Sequence, residues 1–594
     1  MPKVGVLVNC VRKSVGVFAV VLPAVVRAAV SIGSEQAFLD EVVSHPDGEY
    51  VLTSDISLSS PFAAIPEFSG SLDGNGKTIT GLSSNLVGVL TGTLKNLTVS
   101  GVTYQHKRVS YSNCSPFGFF AATVSGGSIS NCTLRGCTLT RDKYANYNAG
   151  VGGIVGNIGA TGGVVAGCKV IGCSIGTILG SETMTIGGVV GRSFAAKEGS
   201  ALVADCCVVP EEGAPTVIKG NLVGGIVGGV SVDCFLRVER CRFDASIEGG
   251  SNVGCILGPC SGGNTDKSII DVVGCTNLAD VSVACPASGI VAGSYKGGLF
   301  RISGCINRGN ITTSTASVTT ANANGTGTAG IMGGLYAQAS GAGIVVDRSA
   351  NYGTITAEND FAGGLVGFLH MGNYAPVLTI SNSVNHADVT SSHYVGGLAG
   401  YASFPAGGAL FVNCCQTGAV TGNGTVPAGG ISGLVRGGNK LSYRCVNVCQ
   451  MGDVTASDGA ASSLFGELSV NGKNNLKVYI DNVQVQGTAS STSGTTGIIG
   501  GSTTVADPSL SVFVDETSRF SCPTGVAYYD QTGAAQELAL GQLPAGAMTN
   551  RTAARTLDDY ASANGLVGWV QAPDYPELSI FAETRPSGLL VIIR

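Results

Sequence analysis

Val151-Gly-Gly-Ile-Val-Gly156 recurs as Ile186-Gly-Gly-Val-Val-Gly191 and Val223-Gly-Gly-Ile-Val-Gly228. Looser copies follow as Val253-Gly-Cys-Ile-Leu-Gly258, Ala362-Gly-Gly-Leu-Val-Gly367, Val395-Gly-Gly-Leu-Ala-Gly400 and Ala428-Gly-Gly-Ile-Ser-Gly433. Degenerate copies lie near Gly289, Gly330, Ser462 and Gly497, which makes eleven. From Gly330 through Gly363 and Gly396 to Gly429 each step is 33 residues. A period of this size means stacked units, each burying its apolar face only against its neighbours.

The segments between the phrases also agree in register. Cys305-Ile-Asn-Arg-Gly-Asn-Ile-Thr312 aligns with Ser349-Ala-Asn-Tyr-Gly-Thr-Ile-Thr356, Ser383-Val-Asn-His-Ala-Asp-Val-Thr390 and Cys414-Cys-Gln-Thr-Gly-Ala-Val-Thr421. Apolar runs are short, rich in Val and Ile, and punctuated by Gly, Asn, Asp and Ser, a pattern of brief strands and frequent turns. Three strands and three turns per unit predict one coil of a parallel β-solenoid, or β-helix, with coils about 4.8 Å apart and a rod on the order of 60 Å long. A β-propeller has repeats of similar length but wants four strands per unit and periodic aromatics. The single Trp, Trp569, lies outside the repeats.

In such a solenoid each repeat position stacks on itself. The glycine column is expected where backbones turn or approach closely. A column of Cys132, Cys168, Cys241, Cys275, Cys305, Ser349, Ser383 and Cys414 reads as a ladder of small buried side chains. A column of Thr312, Thr356, Thr390, Thr421 and Thr455 is what strand propensity selects, and equally a hydroxyl row suited to ice or glycans.

These phrases resemble the GLUG-motif repeats of large surface proteins, named for Gly-Leu-hydrophobic-Gly. Gly364-Leu-Val-Gly367 and Gly397-Leu-Ala-Gly400 match best. The opening (Tyr50–Leu58 and Phe68–Ile79) and the closing segment (Ala563–Val570, then Asp574–Leu578) are similar to the ends of such proteins. The resemblance spans roughly residues 34–580. It implies a right-handed parallel β-helix used as a stalk or adhesive surface.

The chain reads as one elongated body with end modules: a signal peptide over 1–30, a cap and first coils over 31–105, repeats over 106–506, and last coils with a C-terminal cap over 507–594. Lys3, Arg12 and Lys13 precede the apolar run Ser14–Val26 and the small residues Ala28, Ala29 and Ser31, the layout of a secretory signal cleaved near 29–31. The run is 13 residues, short for a membrane span. Seven sequons, at Asn96, Asn113, Asn131, Asn310, Asn324, Asn423 and Asn550, fit export and are candidate glycosylation sites. Ser34–Val43 reads as a helix, N-capped by Ser34 with Glu35 in its first turn, covering the open end of the solenoid. Charged residues make up only 12% and Gly 90 of 594, as tight stacked turns require. Net charge is −6 with no basic row, which speaks against nucleic acid as a partner.

Twenty cysteines invite metal or redox chemistry, yet no C-x-x-C occurs, and the five histidines form no ligand-spaced set. The vicinal pairs Cys206-Cys207 and Cys414-Cys415 cannot both face the core of a strand. The ladder cysteines read as packing residues or, alternatively, as bridges between coils. No metal or cofactor is expected. Neither H-E-x-x-H, G-x-S-x-G nor a phosphate-binding loop is present. Asp142, Asp205, Asp244, Asp271 and Asp347 are isolated in sequence and read as solubilising turn residues, though stacking could align them. Glu358-Asn-Asp360 is a further acidic turn that matches no calcium loop. The expectation is a non-enzymatic, secreted or cell-surface β-helix acting as adhesin or structural spacer. Its expected partners are a host or neighbouring cell surface, a glycan or extracellular matrix. The alternative is a carbohydrate-active enzyme of the pectate-lyase-like sort.

Overall fold

The computed structural model describes residues 28–582 except 60, 107–114, 142–148, 178–183, 261–266, 296–297, 315–326, 338–340, 372–376, 405–407, 438–440, 471–475, 506–509, 522–524, 530–533, 544–550 and 572–575. It is a parallel β-solenoid. Its fullest coils hold five short strands rather than the three expected. One coil runs through Val377–Ser381 (sheet 1), Val384–Asn385 (sheet 2), Val389–Ser391 (sheet 3), Val395–Gly396 (sheet 4) and Ala399–Phe404 (sheet 5). Each pairs in parallel with its counterpart in the neighbouring coils. Strands of two residues carry no alternation, which is why the sequence pattern merges them into turns.

Sheet 1 contains 16 strands, from Val30–Ile32 to Leu510–Val514. At about 4.8 Å per strand this makes a rod about 70 Å long. Its inward column runs Val272, Ile302, Val346, Ile380, Phe411, Cys445, Ile480, each buried and in register with the next. Coil length varies without breaking this register. Asp73 and Asn96 lie one coil and 23 residues apart, Asn96 and Asn131 35. Cys305 and Ser349 are 44 apart.

The glycine phrase is explained by close approach. A Cβ on Gly396 would lie 2.0 Å from Ala399 O. On Gly397 it would lie 2.2 Å from Gly430 O of the next coil and 2.4 Å from the Gln416 side chain. That side chain belongs to a buried amide ladder: Asn277 Nδ2 donates to Asn307 Oδ1 (2.8 Å), Asn307 to Asn351 (2.7 Å), Asn351 to Asn385 (2.7 Å) and Asn385 to Gln416 Oε1 (2.8 Å). From Gly289 through Gly330, Gly364 and Gly397 the second glycine of the phrase leaves room for these amides, whereas Gly153, Gly188 and Gly225 leave room for Ile175, Val208 and Phe243. Continuous pairing satisfies the buried amides from Asn277 to Gln416, and the run breaks at Gln450, the next residue of the column, whose Oε1 has no partner.

At the N-terminal end Ser34 Oγ accepts from Ala37 N (3.2 Å), capping α1 (Glu35–Ala37) as expected. The helix continues as a wide π-turn over Phe38–Val43, which sinks Phe38 and Val42 into the core. Glu35 does more than face the helix dipole. Its carboxylate accepts from Ser59 N (2.6 Å) and Ser59 Oγ, which lowers its pKa and ties the cap to the first coils.

Candidate functional site

The expected ladder is present, and Cys206 belongs to it as well. Its members follow the corner between sheets 1 and 2, where the preceding residue takes a left-handed backbone: Asn131 (φ 53°), Asn382 (φ 47°) and Asn413 (φ 56°) among them. Asn tolerates this conformation better than other non-glycine residues. Each ladder side chain donates to the carbonyl two residues back: Cys206 to Ala204 O (3.2 Å), Cys414 to Val412 O (3.3 Å), Ser349 to Asp347 O (3.0 Å). All described ladder members are buried with free thiols or hydroxyls. Burial pushes the Cys305 thiol up, and Cys414 up to about 12, so these sulfurs are neutral packing groups. The vicinal pairs split as strand geometry demands: Cys206 and Cys414 point inward, while Cys207 is half-exposed. No group of three or more His, Cys, Asp or Glu among the described residues could hold a metal ion.

The acidic candidates stay apart. Asp205 pairs with Arg240 (2.7 Å), Asp244 with Arg242 (2.7 Å) and Asp271 with Arg301 (2.6 Å). Asp347 accepts from Ser381 Oγ and Asn382 Nδ2. Asp142 lies outside the described residues. Asp360 is the acid whose setting the sequence hid. It is fully buried, accepts from Thr328 Oγ1 (2.8 Å) and its neighbour Phe361 N (2.9 Å), and burial raises its pKa to about 7.

Of the sequons, Asn113, Asn324 and Asn550 lie outside the described residues. Asn96 and Asn131 occupy left-handed corners, and their amide nitrogens donate to Asp73 Oδ1 (3.0 Å) and Asn96 Oδ1 (3.4 Å). Asn310 and Asn423 are exposed beside sheet 3. That sheet carries the threonine column, extended by a serine at either end: Ser282, Thr312, Thr356, Thr390, Thr421, Thr455 and Ser490 pair in register through seven strands. Each side chain is exposed or half-exposed, while the flanking Ile355, Val389, Val420 and Val454 face inward.

Sheet 5 carries a cluster the sequence reading missed. Gly334, Phe368, Tyr401, Leu434 and Glu467 form one column, Tyr336, His370, Ser403 and Arg436 another. Phe361 and Tyr394, which follow the strands of sheet 3, fold over them. Phe361, Phe368, Tyr401 and Leu434 make a small apolar cluster separate from the main core. Phe368 and Tyr401 stack at 5.1 Å and 18°, Tyr336 and His370 at 5.2 Å and 27°. Tyr394 Oη donates to Glu467 Oε2 (2.9 Å). Within a coil the rings are seven residues apart, as Phe361 and Phe368 or Tyr394 and Tyr401, and between coils 33 or 34, as Phe368 and Tyr401 or Tyr336 and His370, so only the repeat register could have brought them together.

The C-terminal segment, expected to close the far end, lies against the outer face of sheet 2. α2 (Arg551–Ala563), Trp569–Gln571, Pro576–Leu578 and α3 (Ser579–Ala582) cover Ala350, Val384, Cys415 and Cys449 through Leu557, Ala561, Trp569, Leu578 and Phe581. The corner asparagines hold it. Asn413 Nδ2 donates to Val567 O (2.8 Å), Asn447 Nδ2 to Leu557 O (3.1 Å), and Asn413 Oδ1 accepts from Trp569 Nε1 (2.5 Å). His386 Nε2 lies 3.4 Å from Glu577 Oε1 beneath it.

No known family profile and no curated protein matches the chain. Among solved structures it is similar to a "putative immunoglobulin A1 protease" from Bacteroides ovatus, at 15% identity and a TM-score of 0.32, over 54% of this chain and 84% of that one. At that level the likeness carries no argument about function.

Proposed function

We infer that this protein is a secreted or cell-surface, non-enzymatic solenoid of the GLUG-repeat kind, acting as an adhesin or structural spacer. One observation carries the reading. Seven consecutive coils present the same outward hydroxyl, from Ser282 to Ser490, at one strand spacing. A surface that repeats itself along a rod engages an extended or multivalent partner many times over, so weak single contacts sum to avidity. The signal-like N-terminus and the exposed sequons at Asn310 and Asn423 support export. The natural partners of such a rod are a neighbouring cell surface, a glycan or matrix.

The test is binding of the purified chain to a glycan array and to cultured cells, with a matched rod in which Thr356, Thr390 and Thr421 are all replaced by Lys. The expected result is surface binding that the triple variant loses while remaining folded. Equal binding by both proteins contradicts the hydroxyl face as the adhesive one. Absence of binding by either leaves the spacer role alone.

A further inference from the structure

Both ends of sheet 1 lie open. Its first strand, Val30–Ile32, and its last, Leu510–Val514, each pair with one neighbour only among the described residues. The N-terminal cap sinks Phe38 and Val42 into the core but leaves the outer edge of the first strand without a partner strand. The C-terminal segment lies along sheet 2 instead of closing the far end. Ile32 O accepts from Thr53 N, and Asp515 N donates to Ile480 O. Backbone groups alternate in direction along a strand, so Ser31 and Gly33 at one end, and Leu510, Val512 and Val514 at the other, turn theirs away from the rod. Leu510, Val512 and Val514 continue the inward columns of Leu476, Val478 and Ile480, yet they stay half-exposed for want of a coil above them. Val30 is 42% exposed at the opposite end. On the outer face Arg444 lies over Tyr479 (4.8 Å), Tyr479 stacks on Phe513 (5.0 Å, 13°), and the Phe513 ring ends the stack 47% exposed. Leu510-Ser-Val-Phe-Val514 contains neither a charge nor a proline, the devices that protect an edge from pairing.

We propose that a second copy of this chain completes the edge, so that rods join head to tail: Leu510–Val514 of one copy pairs in parallel with Val30–Ile32 of the next. Three observations select that occupant. The direction fits, since both strands already pair in parallel within sheet 1. The register fits as well. Setting Val512 beside Ile32 keeps inward residues over inward ones and Ser511 beside Ser31. Val512 N then donates to Ser31 O, and Gly33 N donates to Val512 O. The same register sets Gly33, which has no side chain, beside the exposed Phe513. Finally, the two ends are stepped in opposite senses. At the N-terminal end sheet 1 begins one strand before sheet 2, whose first strand is Ile56–Ser57. At the C-terminal end sheet 2 carries one step beyond Arg519–Phe520, where Phe520 N donates to Gly541 O and Leu543 N to Phe520 O. The projecting strand of one end therefore enters the recess of the other. Joining unlike ends leaves both outer ends free, so the product is an open filament. Both ends are acidic, with Asp40, Glu41 and Asp47 at one and Asp515 and Glu516 at the other. Assembly is therefore strongest where salt screens these charges. The proposal is independent of the adhesive reading above.

Sedimentation velocity and negative-stain electron microscopy of the chain purified after export test this, with its N-terminus read by mass spectrometry. The parent should assemble with rising concentration into filaments one rod wide, and more readily at high salt. Ser31→Pro and Val512→Pro each remove an N–H that faces solvent in the single rod, a place where an edge strand accepts proline. Each variant alone should associate at least tenfold more weakly than the parent, with an unchanged melting midpoint. Mixed in equal amounts they should form dimers and nothing longer, because the intact end of each fits the intact end of the other. Where a proline variant fails to fold, Val30→Lys or Phe513→Lys, both at exposed positions, takes its place in the same scheme. The proposal is overturned by a parent that stays monomeric at every concentration and salt, by assembly that salt dissolves, by a mixture that stays monomeric, or by a mature N-terminus beyond Ser31, which removes the first strand. It is overturned too by either variant alone associating as the parent does; dimers of Ser31→Pro by itself would mean that Leu510–Val514 pairs with its own copy instead.

Discussion

The backbone N–H of Cys305 donates to Ser349 Oγ at 3.2 Å, across 44 residues of sequence. A thiol and a hydroxyl thus occupy one column. Ser349 then donates to Asp347 O, and Cys305 to Ser303 O in the same way (3.7 Å). Cys305→Ser is therefore supplied with its acceptor in advance. We expect a change in unfolding free energy within about 1 kcal/mol, below the roughly 1–3 kcal/mol of an unpaired buried hydroxyl. In the parent, Cys305 should resist a thiol reagent until denaturation. Mass spectrometry without reduction should find no peptide linking it to Cys275.

Asp360 gives stability an unusual pH dependence. Its carboxyl titrates near 7 when folded and near the ordinary carboxylate value when unfolded. Between about pH 4 and pH 7 the folded state therefore holds the extra proton, and stability falls as pH rises through that window. Asp360→Asn keeps polar partners for Thr328 and Phe361 without the charge. We expect it to flatten that decline and to be the more stable protein at pH 8, by on the order of a few kcal/mol. Denaturant midpoints at pH 4.5 and pH 8 for both proteins provide the check.

Asn413 both donates to Val567 O and accepts from Trp569 Nε1, and Trp569, the single tryptophan, is 4% exposed. Asn413→Ala leaves the buried Trp569 indole N–H unpaired, a loss of about 1–3 kcal/mol, and removes the donor to the part-buried Val567 carbonyl. Tryptophan emission should then shift to the red at lower denaturant than the loss of β-sheet circular dichroism. In the parent the two transitions should lie closer together.

The solenoid should tolerate removal of a whole coil. Gly224 pairs in register with Gly254, so deleting 224–253 joins Val223 to Gly254 and preserves the stack. This coil is preferable to 363–395, which contains Asn382 and His386 beneath the C-terminal segment. The shortened rod should fold and unfold cooperatively, because each coil pairs its strands with its immediate neighbours. Deleting half as many residues from the same point should yield an unfolded or aggregated product.

The period, the parallel stacking and the small-residue and threonine columns were legible in the sequence because each is a repeated choice of residue type at a fixed step. The five-strand coil was not, since strands such as Val384–Asn385 are too short to show a period. The amide ladder stood in plain register in Asn307, Asn351, Asn385 and Gln416, but a polar residue in a strand reads as outward-facing until its partner one coil away is known. The aromatic cluster and the docking of the C-terminal segment depend on contacts such as Tyr394 with Glu467 and Asn413 with Trp569, 73 and 156 residues apart, which no local pattern encodes.

The most direct test of the stacked account is a set of distances down the hydroxyl face. A nitroxide at Ser282 is paired in turn with one at Thr390, Thr455 or Ser490, which lie three, five and six strands away along sheet 3. Pulsed electron spin resonance should return separations that grow linearly with strand number, near about 14, 24 and 29 Å at 4.8 Å per strand. Separations that fail to increase in that order, or that are nearly equal, would contradict a rod of one coil per repeat.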